Sequence, residues 1–96
     1  MKLFWTRLAI SDLNSAYDYI AQENPSAAID VIDHIQKAAN ILSQHPELGR
    51  HGRVEGTREL IISGTPFIIS YRIKDKRIEV LAVIHGARRW PDAFPE

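Results

Sequence analysis

Two β-type runs, Phe67–Lys74 and Arg77–His85, are joined by only two residues, Asp75 and Lys76. A connection that short fits an antiparallel hairpin, because parallel neighbours need a crossover of about a dozen residues or more. In the first run Phe67, Ile69, Tyr71 and Ile73 share one face, and Ile68, Ser70, Arg72 and Lys74 share the other. The first set predicts core beneath another layer. The second is mixed and predicts an exposed or partner-covered face. In the second run Ile78, Val80, Ala82 and Ile84 are as apolar as Leu81 and Val83, as in a central strand buried on both sides. Arg58–Ile62, which reaches Phe67 through Ser63-Gly64-Thr65-Pro66, supplies a third strand. Arginines enter and leave these runs, and His85-Gly86-Ala87-Arg88-Arg89-Trp90 follows the last. A small sheet with cations at its ends suits an anionic partner.

Upstream the hydrophobic period changes from two to 3.6. Leu3-Phe4-Trp5 is a short β-type run, and Thr6 offers an N-cap. Ile10, Leu13, Tyr17 and Ile20 then recur on one helical stripe, with Asp12, Asn14, Ser15 and Asp18 elsewhere. Asn24 is a second N-cap, and Pro25 fits the first helical position, where its missing N–H costs nothing. Ala28, Ile32, Ile35, Ala39 and Leu42 repeat until His45-Pro46, a residue pair that disfavours the α region. The spacing predicts helices over 8–22 and 25–44, joined as an antiparallel hairpin by a very short loop. Gly49 to Gly56 reads as a polar connection. The expected fold class is α+β in a single domain over residues 1–96, in the order β-α-α-β-β-β. The helical hairpin packs its stripes on a twisted antiparallel sheet, against Phe67, Ile69, Tyr71, Ile73, Ile78 and Val80.

A chain of 96 residues suffices for one two-layered core. It has no cysteine, so disulfides and thiolate metal sites are excluded. Its N-terminus lacks the apolar stretch of a signal peptide, and no apolar run reaches the ~18–20 residues of a membrane span. The expectation is a cytoplasmic protein without membrane contact. Charge is uneven: residues 1–48 hold three cations against six acids, and residues 49–96 hold nine against six. That asymmetry fits an acidic partner or a phosphate backbone on the C-terminal half. It also fits acidic, solvated helix faces beside a mildly basic sheet.

Among individual residues, His85 ends a strand beside arginines, where an imidazole of ordinary pKa ~6.5 suits proton transfer. It serves equally as a hydrogen-bonded cap of the sheet. Arg58 and Glu59 are adjacent, so in a strand they point to opposite faces. Arg72 has a catalytic reading and a structural one, as the partner of an acid on the next strand. Arg88, Arg89 and Trp90 form a cation-and-aromatic cluster that suits nucleic acid or a protein hot spot. Trp90 can also close the sheet edge. His34, His45 and His51 have no metal-ligand spacing, and no pattern implies a metal or a cofactor.

Taken in order, several words make a pattern. They are Asn24-Pro25, Leu42 to His45-Pro46-Glu47-Leu48-Gly49-Arg50, Thr57-Arg58-Glu59-Leu60, Tyr71-Arg72, and Val83-Ile84-His85-Gly86-Ala87-Arg88-Arg89-Trp90-Pro91. Across essentially its whole length the chain resembles the RelE/ParE superfamily, toxins of bacterial type II toxin–antitoxin modules associated with plasmid stabilisation. The resemblance implies growth inhibition, a cognate antitoxin, and a possible toxin–antitoxin heterotetramer. It offers two targets. ParE-like members poison DNA gyrase without hydrolytic chemistry, and the long helical hairpin looks more like theirs. RelE-like members are ribosome-dependent endoribonucleases that cut messenger RNA. Against their pattern this chain keeps cations at Arg58 and Arg88, but has Leu60 and Ile68 where two more would stand and Phe94 near the position of a tyrosine. A second ribonuclease branch uses a glutamate, an arginine and a histidine followed by tyrosine. Glu59, Arg72 and His85 are present here, but Gly86 follows the histidine. The expected catalytic set, for a ribonuclease, is Arg58, Arg72, His85 and Arg88. The expected surface for target or antitoxin is Arg50, Arg53, Arg58, Arg72, Arg88, Arg89 and Trp90.

Overall fold

A computed structural model of the chain describes residues 1–94. Strand β1 (Lys2–Trp5) leads into helices α1 (Arg7–Ala21) and α2 (Pro25–Ile41), then strands β2 (Arg50–His51), β3 (Arg58–Ile61), β4 (Phe67–Lys74) and β5 (Arg77–His85). Both helix starts follow from their caps. The Ala9 N–H donates to Thr6 Oγ1 and the Ala27 N–H donates to Asn24 Oδ1, each satisfying a donor that the first turn leaves orphaned.

The strands form one sheet in the order β1-β5-β4-β3-β2, with the helical hairpin packed on one face. From β2 to β5 every neighbour is antiparallel. β1 adds itself parallel to β5, pairing Lys2 with Arg77 through Trp5 with Val80. The first strand and the last therefore lie side by side, which makes the sheet mixed. β2 falls inside the stretch expected to be a plain connection, where Arg50 and His51 pair with Glu59 and Arg58.

The core centres on Ile35, Ala39 and Leu42 from the helical side and Ile69, Tyr71, Ile78 and Val80 from the sheet, all fully buried. Two expectations are corrected. On α1 the buried positions are Ala9 and Ala16, with Leu13 and Ile20 partly covered, while Ile10 and Tyr17 are exposed. The small residues face inward because α1 lies close against α2 and β5, where an isoleucine or tyrosine would not fit. At the far end of β4, Ile73 is 37% exposed, beyond the reach of the helices. Along β5 a register shift opposite Ser70 and Tyr71 pairs Ser70 with Ala82 but Tyr71 with Val80. One extra residue, Leu81, breaks the alternation, so Ile78 and Val80 face the helices while Ala82 and Ile84 face away.

The outer face of the sheet is not bare. Ile68 and Ser70 are buried there. The tail after β5 returns over that face: a Cβ at Gly86 would lie 3.4 Å from Ile68 Cδ1. The Gly86 N–H donates to the Pro66 carbonyl at 2.8 Å, which fixes the start of the return.

Candidate functional site

Beyond Val80, β5 has no strand on its outer side, because β1 ends at Trp5. Thr6 covers the first part of that edge, its Oγ1–H reaching the Val80 carbonyl at 2.8 Å. Asp12 covers the next: the Val83 N–H donates to its Oδ2 at 3.0 Å. Burial raises the Asp12 carboxyl above its ordinary value, against the opposing effects of the Val83 N–H and the Arg88 charge. Asp12 is thus a helix side chain doing the work of a missing strand, and its role follows from no sequence motif. The tail 86–94 passes on the other side of this edge. Between tail, edge and α1 lies a cleft of about 500 Å³, whose lining includes Tyr19, Phe67, His85, Arg88, Arg89 and Phe94.

His85 stands at the inner end of this cleft. Its Nδ1 accepts the Ala87 N–H at 3.1 Å, and its ring meets Phe67 edge to face at 5.8 Å between centroids. In the neutral form the ring proton is therefore on Nε2. His85 is the hydrogen-bonded terminus of the sheet, and it lines the same cleft as Arg88 and Arg89, whose side chains are exposed.

The other arginines are engaged in the fold. Arg58 lies on the helix-side face, opposite Tyr71, where its Nη1 donates to the carbonyls of Glu47 and Gly49. Beside it the Tyr71 hydroxyl accepts the Gly49 N–H and donates to the Pro46 carbonyl, both at 2.8 Å. Together they fasten the exit of α2 to the sheet. Arg72 lies on the opposite face, its Nε 2.6 Å from Glu79 Oε1. Hydrogen bonding from Arg72, with the charges of Arg72 and Arg77, holds the Glu79 carboxyl below its ordinary value despite partial desolvation.

Arg50 and Arg53 converge on Glu59, which is 2% exposed. The Glu59 carboxylate accepts the Arg53 backbone N–H at 2.7 Å as well as both guanidinium groups. Burial alone would raise this carboxyl; those bonds overcome it and carry it below the ordinary value. The Arg53 guanidinium lies 3.8 Å from the centroid of the Trp90 ring, so the tail is tied to the β2–β3 side of the sheet by a cation–π contact. Trp90 therefore closes the outer face, while its neighbours Arg88 and Arg89 reach into the cleft.

The expected residues thus separate into groups. His85, Arg88 and Arg89 share the cleft. Arg50 and Arg53 bind Glu59, and Trp90 stacks on Arg53. Arg58 and Arg72 lie on opposite faces of the sheet. Phe67, the partner of His85, is five positions along β4 from Arg72, about 16 Å at strand rise. Among the described residues there is no group of three or more His, Cys, Asp or Glu placed to hold a metal ion, and no helix is long and apolar enough to cross a membrane.

Comparison with known proteins gives consistent matches. The family described as ParE toxin of type II toxin–antitoxin system, parDE, matches residues 3–90. A putative toxin, Y4kP, of Sinorhizobium fredii is 38% identical over 93 residues, covering 97% of this chain and 96% of its own. Toxin RelE2 of Caulobacter vibrioides is 33% identical over 87 residues, covering 91% of this chain and 97% of its own. Among solved structures, the chromosomal ParDE toxin–antitoxin system from P. aeruginosa superposes with a TM-score of 0.81 at 33% identity, over 88% of this chain and 95% of that one.

Proposed function

The chain belongs to the ParE toxin family of type II toxin–antitoxin systems, and from that premise we propose that it is a binding poison of DNA gyrase that turns over no substrate. It acts in the cytoplasm and is restrained by its antitoxin. One observation carries the binding reading over the catalytic one: of the four side chains that a ribonuclease would need, Arg58 and Arg72 are dispersed and engaged, and only His85 and Arg88 share a site. General acid–base cleavage requires base, acid and phosphate-binding cations within hydrogen-bond reach of one reacting centre. Here Arg58 and Arg72 stand on opposite faces of the sheet, bonded to loop carbonyls and to Glu79. His85 lies at the other end of β4 from Arg72. Phe94, which lines the cleft, has no proton to transfer.

The antitoxin partner is implied by the family itself. Its docking place is proposed here as the cleft between α1 and the tail. That cleft offers apolar walls, the end of the β5 edge beyond Val83, which no strand pairs, and two exposed arginines. An extended or helical segment carrying acidic residues matches all three features, by edge pairing or groove filling together with charge. Pairs of toxin and antitoxin would then assemble as a heterotetramer.

The deciding experiment incubates purified toxin with gyrase and plasmid, beside a translating-ribosome assay with messenger RNA 5′-end mapping. Loss of supercoiling activity with intact transcripts is the expected result. New transcript ends, with gyrase unaffected, would replace this reading with the alternative, a ribosome-dependent messenger RNA endoribonuclease using Arg58, Arg72, His85 and Arg88.

A further inference from the structure

The far corner of the outer face, at the β4–β5 hairpin end, carries an arrangement that folding alone disfavours. Lys74 is the register partner of Arg77, and Arg77 is the register partner of Lys2. Three cations therefore stand side by side across three adjacent strands on one face. Like charges directly opposite one another destabilise a sheet. The next row on that face reads Arg72, Glu79, Phe4, and its single carboxylate is already bonded to Arg72 and Arg77. Lys2 and Lys74 are exposed and form no ion pair among the described residues.

The turn repeats the same choice. Asp75 and Lys76 have φ of 53° and 59°, the left-handed pair that a two-residue hairpin requires and that glycine or asparagine adopts at less cost. A lysine stands where glycine would be the easier residue. Two unfavourable choices that keep a cation, the row and Lys76, meet at one corner, with Asp75 the acid of the turn.

We propose that this corner is a docking surface for the phosphate backbone of duplex DNA. Three strands spaced about 4.8 Å apart give a cation row about 10 Å wide. Duplex DNA presents one phosphate per about 3.4 Å of axis on each strand, so such a row faces about three of them. The only aromatic on the two rows is Phe4, which is 44% exposed with the Arg77 guanidinium over its ring at 5.3 Å. Single-stranded nucleic acid is gripped by stacking successive bases on several aromatic rings, and this surface offers one, with a cation already beside it. A duplex, whose bases are already stacked, needs only the cations. The surface lies at the opposite end of the sheet from the cleft, and the inference does not depend on which target the toxin poisons.

The test is fluorescence anisotropy of a labelled 20-base-pair duplex with the full chain, freed of its antitoxin, across 50–200 mM salt. Wild-type protein should bind with a log–log salt slope of about −3, the value for roughly three phosphate contacts. Lys2→Gln with Lys74→Gln should weaken binding at least tenfold at 50 mM salt and reduce the slope by about two. Arg7→Gln with Lys37→Gln, exposed on the helical layer, should leave it unchanged. Lys76→Gly guards against a folding artefact: it should raise the Tm and still weaken binding, because it relieves strain while removing a cation. The inference is overturned if the wild-type chain does not bind the duplex, or if the lysine variants bind like wild type. Tighter binding to a single strand of equal charge, or displacement of the duplex by polyglutamate at lower charge concentration, would overturn it as well.

Discussion

At Gly49 a Cβ would sit 2.7 Å from both Cε1 and the hydroxyl of Tyr71 and 2.9 Å from the Glu59 carbonyl. The glycine is there because the Tyr71 ring approaches the backbone closely enough to exchange hydrogen bonds with residues 46 and 49. Gly49→Ala should therefore cost about 1–3 kcal/mol through overpacking. Tyr71→Phe should cost a similar ~1–3 kcal/mol by leaving a buried N–H and a carbonyl unpartnered. Urea unfolding of the two variants checks both, and near-wild-type midpoints would dismiss the tyrosine as the clasp of the α2 exit. Glu59 makes a different prediction. Its folded-state pKa is depressed, so the stability it contributes is complete above its ordinary value of 4.5 and disappears as pH falls through the lower folded value. Glu59→Gln should lower stability at pH 7 by about 1–3 kcal/mol and flatten the acid side of the stability curve. Thermal melts between pH 7 and 3 read this directly. A wild-type curve no steeper below pH 4.5 than that of the variant would count against it. None of this was legible in the sequence beyond the bare word Gly49-Arg50, because a close approach between residues 22 positions apart leaves no local trace.

Among the elements, those set by local chemistry match the sequence reading closely. β4 and β5 run over the expected residues because two residues between long apolar runs leave little freedom. Both helices start at their expected caps. What escaped depends on neighbours. The β5 bulge exists only relative to β4, β2 only relative to β3, and the buried stripe of α1 only relative to α2. Counting large apolar residues selects Ile10 and Tyr17, whereas close packing selects Ala9 and Ala16. The consequence is measurable. Ile35→Ala and Ile69→Ala, both at fully buried positions, should each cost about 2–5 kcal/mol. Ile10→Ser, on the exposed side, should stay within about 0.5 kcal/mol of wild type. Denaturation midpoints in the reverse order would mean that the hairpin packs through its other face.

For the whole molecule, the charge asymmetry in the sequence puts most cations in the C-terminal half, yet most of the arginines there brace the fold. Arg50, Arg53, Arg58 and Arg72 all bond internal acceptors, and the cleft retains Arg88 and Arg89 as its exposed cations. Internal pairing depends on which acids the fold brings near, so composition alone could not divide the two sets. The division predicts how toxicity responds. Reversing the charge at Arg88 and Arg89 together should abolish growth inhibition, since a binding poison loses its electrostatic complementarity to the target. It should weaken antitoxin binding as well, because the cleft that holds both arginines is the docking place proposed for the antitoxin. His85→Ala should leave toxicity mostly intact, because the imidazole accepts one backbone N–H and packs on Phe67 and a binding poison needs no proton from it. A general acid or base would behave differently, contributing about 10²–10⁴-fold to a cleavage rate. Induced-growth assays of the two variants, with folding verified by circular dichroism, therefore separate binding from chemistry in one experiment. Toxicity that survives the charge reversal but vanishes with a well-folded His85→Ala protein would transfer the function from the arginines to the histidine, and with it from binding to catalysis.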